Sequence, residues 1–194
     1  MFIAMIIVAG IAASVMIQTM NSLEEQAMST GRETIREVST GLKVDQVTGY
    51  HDGSSITQLA VFVRTTAGSQ EVDLSETYIS ISDSSKKVIL NYTSNVFSSS
   101  VSNGLFGTIN SSNLSATTYG LMIVRDIDGS CTSTNPTINE DDLVVLMLNS
   151  TDCFSGISTR TDVLGYIVPE YGMSGVFSFT TPSVYIDTII ELQT

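Results

Sequence analysis

Few residues in this sequence could carry chemistry. The only histidine, His51, sits in a Gly-Tyr-His-Asp-Gly stretch that reads as a surface turn, so a nucleophilic triad has no well-placed base. Neither a phosphate-cradling Walker lysine motif nor a dinucleotide fingerprint occurs. Carboxylates cluster at Asp126-Ile-Asp128 and at Glu140-Asp141-Asp142. Asp126 and Asp128 are two residues apart, a spacing that puts them on one face of an extended strand. From there their oxygens could bind Ca²⁺. The later ligands of a calcium-binding EF-hand loop are missing, and a solvated turn with Asx hydrogen bonding is the preferred reading.

Cys131 and Cys153 fit no Cys-x-x-Cys pattern, and with a single histidine a zinc site is not expected. In an exported chain the pair predicts one disulfide, closing a loop of about 22 residues worth roughly 3 kcal/mol on the loop-entropy account. The competing reading is two free, buried thiols. Four Asn-x-Ser/Thr triplets are candidate N-glycan sites, at Asn91, Asn110, Asn113 and Asn149. Asn110 and Asn113 fall in a long polar segment, whereas Asn91 and Asn149 lie at predicted strand ends.

These groups must be positioned by two very different parts of the chain. Residues 1–17 are almost wholly apolar, and no charged side chain precedes Glu24. As a helix they would reach about 26 Å, close to the hydrocarbon thickness of a bilayer. Beyond Gln18 the apolar residues Met20, Leu23, Ala27, Ile35, Val38 and Leu42 recur at helical spacing, with charges on the other faces. The pattern predicts one continuous helix of roughly 60 Å, stopping near Gly41. A helix apolar all round must be buried in lipid or among other helices. Ala9, Gly10, Ala13 and Ser14 form small-x-x-x-small pairs that let helices approach closely, and Met16, Met20 and Leu23 extend that packing surface.

After the helix the periodicity changes to that of strands. Extended segments are predicted at 43–48, 56–65, 78–82, 87–92, 119–125, 143–149, 163–168, 176–181 and 184–192, separated by Gly- and Ser-rich turns. Residues 93–118 read as an exposed excursion that docks some apolar side chains. The predicted architecture is therefore α+β: a long N-terminal hydrophobic helix over 1–43, then an all-β, immunoglobulin-like sandwich over 44–194. The 194 residues carry 8 basic and 20 acidic side chains, a net charge of −12. Up to Lys43 there are 3 basic and 4 acidic residues, leaving 5 and 16 for the β-domain. So acidic a surface argues against nucleic acid as a partner, since phosphate binding needs clustered Lys and Arg.

The run FIAMIIVAGIAASVMIQT and the following GRETIREVSTGLKV resemble the N-terminal helix of archaellins. These are the filament subunits of the archaeal motility organelle, related to type IV pilins. Residues 56–83, DLVVLMLNSTDCF and PEYGMSGVFSFTTP resemble the same family in the same order. Family precursors carry a short basic leader before this helix, and here the sequence begins at the FIAM segment with Met1 ahead of it. The resemblance implies a non-enzymatic structural protein on the cell surface. It implies a helix buried in the filament core, a β-domain outside it and N-linked glycans. The implied partners are copies of the chain or related archaellins, together with the membrane and the assembly and motor machinery. No cofactor is required on this reading, and Ca²⁺ is the one candidate ion. The alternatives are an adhesion pilus subunit and a membrane-anchored cell-envelope binding module.

Overall fold

A computed structural model describes residues 1–194. Helix α1 runs from Phe2 to Ser39 without a proline or a break, as its run of apolar and long straight side chains favours. Two threonines inside it satisfy their own hydroxyls: Thr19 donates to the Val15 and Met16 carbonyls, and Thr34 to that of Thr30. The chain divides into two compact units, Met1–Glu37 and Val38–Thr194.

The boundary therefore falls earlier than the predicted 43/44. Residues 40–42 belong to the β-domain. The Met173 amide donates to the Thr40 carbonyl and the Leu42 amide to the Met173 carbonyl, both at 2.9 Å. Leu42 is itself buried. Gly172, with φ +93°, lets the chain pass: a Cβ there would lie 2.1 Å from the Thr40 carbonyl oxygen.

The second unit contains β1 (Leu42–His51), β2 (Ile56–Thr65), β3 (Val72–Asp73), β4 (Tyr78–Ser82) and β5 (Lys87–Ser98). A short helix α2 (Leu105–Thr108) and a 3-10 turn (Ser111–Asn113) lead to β6 (Thr118–Arg125), β7 (Thr137–Ile138) and β8 (Leu143–Asn149). Helix α3 (Ser150–Phe154), β9 (Asp162–Val168), β10 (Gly175–Thr180) and β11 (Ile189–Gln193) complete it. Nine strands form one sheet in the order β10-β9-β4-β5-β6-β8-β2-β1-β11, and β3 pairs separately with β7. All neighbours in the large sheet are antiparallel except β5 and β6. The expected two-layered β-domain is thus made by rolling a single sheet until its ends meet. The Ser178 amide on β10 donates to Gln193 Oε1 on β11 at 2.9 Å, and Gly175 packs on the backbone of Leu42.

The inside of the roll holds the main core, including Leu59, Ile79, Leu90, Leu121, Leu146 and Phe177. Gly165 makes room for Phe177, whose ring tip would lie 2.0 Å from a Cβ at that position. The wholly buried Tyr119 directs its hydroxyl at the carbonyls of Leu74 (2.8 Å) and Thr77 (3.0 Å), so no polar atom of that ring is stranded.

Residues 93–118 are mostly exposed and dock a few apolar side chains, as expected. Strand β5 continues to Ser98, and the segment after it folds back over the outside of β6, β8 and β2. Val96, Ile109 and Leu114 there meet Ala60, Met122, Val145 and Met147 in a second apolar cluster. Strand β8 is consequently buried on both faces, and its sequence is a continuous apolar run rather than an alternating one.

Candidate functional site

No residue of α1 is buried. Met16, Met20 and Leu23 are each more than 60% exposed. Two shallow hollows mark its surface. Gly10, Ala13, Ser14, Ile17, Gln18 and Asn21 line the first; Leu23, Ala27, Thr30, Gly31 and Thr34 contribute to the second. Of the predicted packing residues, Gly10, Ala13 and Ser14 share the first hollow and Leu23 lies in the second. Ala9, Met16 and Met20 line neither. The second hollow was missed in the sequence, although Ala27, Thr30, Gly31 and Thr34 are another run of small residues. Nothing lies within 4 Å of a Cβ built on Gly10 or Gly31, so each leaves space for a neighbouring helix. An apolar window in this helix has a mean hydropathy of 2.2 and is long enough to cross a membrane.

In the β-domain, Asp126 and Asp128 do come together, and Asp142 from the second acidic run joins them. One carboxylate oxygen from each lies within 4.8 Å of the others. Loop amides aim these groups: Gly129 and Cys131 donate to Asp126, Ser130 to Asp128, and Ile127 and Asn139 to Asp142. Asn139 also donates from its side chain to Asp128 Oδ2 at 2.7 Å. Hydrogen bonds from the hydroxyl and then the amide of Ser130 hold the Asp128 carboxyl below its usual range. Burial raises that of Asp142, with Asp126 and Asp128 adding repulsion. Oxygens on opposite sides of one Ca²⁺ stand roughly 5 Å apart at its usual bond lengths, so the spacing fits such an ion.

The predicted disulfide is not formed: Cys131 and Cys153 are both free and buried. Cys131 is tied through Asp126 to Asp142, one residue before β8, whereas Cys153 follows the end of β8. Burial pushes the Cys131 thiol up to about 12 and the Cys153 thiol to about 11, with nearby Asp carboxylates raising both further. Both are therefore poor nucleophiles.

Asn149 is also corrected as a glycan site. Its side chain is buried, and it caps α3 by accepting from the Thr151 and Asp152 amides. Its Nδ2, the atom a glycan would occupy, donates to the Ser111 carbonyl and to Asp152. Asn91, Asn110 and Asn113 are exposed. His51 is not a surface turn residue either. It ends β1, is buried, accepts from the Gly53 amide at Nδ1 and stacks on Tyr185 at 5.0 Å.

The helix leaves every face exposed, and the β-domain has an apolar core of its own. The profile of the archaeal-type flagellin family matches residues 1–179. The chain is 40% identical to flagellin B2 of Methanocaldococcus jannaschii, over 99% of this chain and 90% of that one. It is 36% identical to flagellin B1 of Methanococcus voltae with the same coverage. The crystal structure of archaeal flagellin FlaB1 from Methanocaldococcus jannaschii superposes with a TM-score of 0.72 at 31% identity, covering 79% of this chain and 97% of that one. The archaeal flagellum of Methanospirillum hungatei has the same fold, with a TM-score of 0.67 at 16% identity over 100% and 94% of the two chains. The chain belongs to the archaeal-type flagellin family: it is a structural subunit of the filament with which archaeal cells swim.

Proposed function

We infer that α1 is the polymerisation element and that the β-domain forms the outside of the resulting filament. The observation that carries this reading is the bare helix. Each large apolar side chain from Phe2 to Met20 gains roughly 1.5–3 kcal/mol on burial, and the domain's own core leaves them uncovered. Before assembly, lipid covers them; afterwards, the helices of neighbouring copies do. Both surroundings are apolar, so passage from one to the other is not prohibitive. The copies come from this chain or from related flagellins, and the assembly and motor machinery of the organelle receives them from the membrane. The subunit transmits torque and catalyses nothing. N-linked glycans at exposed Asn91, Asn110 or Asn113 and a Ca²⁺ ion on Asp126, Asp128 and Asp142 belong to the same reading. They modify the surface domain and do not drive polymerisation.

Gly10→Leu tests the helix. The added side chain fills the first hollow and keeps neighbouring helices apart. Filaments should be absent by negative-stain microscopy, while the circular dichroism and melting of the β-domain stay unchanged. Normal filaments from this variant would remove the helical-core reading and favour a membrane-anchored module.

A further inference from the structure

The outside of the rolled sheet is treated differently in its two halves. Over β6, β8 and β2 the chain lays its own segment and buries Met122, Val145 and Met147. Over β10, β9, β4 and β5 it lays nothing. There Val176, Tyr166, Ser80 and Ile89 are consecutive cross-strand neighbours, forming one row across all four strands. Val176 is 50%, Tyr166 38% and Ile89 55% exposed, with Tyr78 and Leu164 flanking the row. In the middle, the Ser80 hydroxyl is buried and has no hydrogen-bond partner. Of the 16 acidic residues after Lys43, only Asp162 points outward from these four strands, and it accepts a hydrogen bond from Thr180.

We propose that this face is the contact between β-domains of neighbouring copies in the filament, a proposal that rests on the polymer reading above. Two arguments select a second copy as the occupant. The first is area. Three outward rows on four strands cover about 400 Å², half of the roughly 800 Å² per partner that a stable independent complex buries. An occupant must therefore be delivered by some other interface, and neighbouring copies are delivered by α1 at high effective concentration. The second is charge. Neighbouring domains are strongly acidic and repel one another, and this face is nearly free of carboxylates, so acidic domains can approach there at least cost. Exposed Asn91 pairs with Tyr78 at the margin of the face, so a glycan at Asn91 is the competing cover.

Hydroxyl-radical footprinting of native filaments and of subunits released from them tests this without any substitution. Tyr166, Tyr78 and Ile89 should react several-fold more slowly in the filament and recover on release. Equal rates in both states overturn the proposal while leaving the filament itself in place. Protection that persists after release, with Asn91 modified in peptide maps, assigns the cover to a glycan and also overturns it. In a second arm, Ile89→Asp in the full chain puts a charge on an already exposed strand position. Filaments should still form but come apart at a temperature several degrees lower; an unchanged temperature counts against the proposal. Failure of the unsubstituted chain to polymerise at all would instead strike the polymer reading.

Discussion

Cutting the chain at two neighbouring points should give two different β-domains. A fragment starting at Val38 retains residues 40–42; a fragment starting at Lys43 loses them. Three backbone hydrogen bonds go with them: Met173 N–H to Thr40, Thr66 N–H to Gly41, and Leu42 N–H to Met173, each 2.9 Å. At about 1 kcal/mol each, plus about 2 kcal/mol for the buried Leu42 side chain, the gross loss is about 5 kcal/mol. Ordering three residues costs about 3–4 kcal/mol, so the net loss is about 1–2 kcal/mol. For a domain of this size that corresponds to a melting temperature lower by about 2–8 °C. Differential scanning calorimetry of the two fragments in one buffer measures the gap, and size-exclusion chromatography establishes that both are monomers. Identical melting temperatures would refute the assignment of residues 40–42 to the domain. Filaments grown from the fragment starting at Val38 would refute the larger claim that α1 drives assembly.

Four further outcomes are expected. Chelator should lower the melting temperature of the β-domain and Ca²⁺ should restore it by mass action, with the dependence lost in Asp128→Asn. In chelator, the raised carboxyl of Asp142 makes its contribution fully present below the ordinary carboxylate range and lost as pH rises through its folded value, so melting should fall over that interval. A bound cation favours the ionised form and should abolish the fall; no change with pH in chelator contradicts it. Peptide mapping of native material should find Asn110 or Asn113 modified and Asn149 bare, because the Asn149 amide is enclosed. The intact mass should be unchanged by reductant, and Cys131 and Cys153 should react with an alkylating agent only after the domain is unfolded.

Strands whose alternation or apolar run is set by a single sheet were legible residue by residue. The predicted bounds of 56–65, 78–82 and 143–149 match β2, β4 and β8. What escaped depends on partners distant in sequence. That residues 93–118 would dock some apolar side chains was legible, but not that Val96, Ile109 and Leu114 would settle on Met122 and Met147 of two other strands. The predicted strand at 184–192 is shortened to β11, which is set by pairing with β1. The first two carboxylates of the acidic cluster were visible from their spacing, but Asp142 reaches them only because the 126–142 segment folds back on itself. A disulfide is the ordinary inference from two cysteines in an exported chain, whereas here each thiol is buried in the core without forming one.

The pairing of β1 with β11 also imposes an order of events on synthesis. Val47 lies opposite Gln193, about 145 residues later in the chain. Strand β1 is among the first parts of the domain to be made, yet its second edge stays open until the last strand arrives. Closing so long a loop costs only about 2 kcal/mol more than closing one of ten residues, so the delay is kinetic rather than energetic. Meanwhile an unpaired edge invites another chain to add itself. A chain interrupted anywhere before Ile189 keeps that edge open for good.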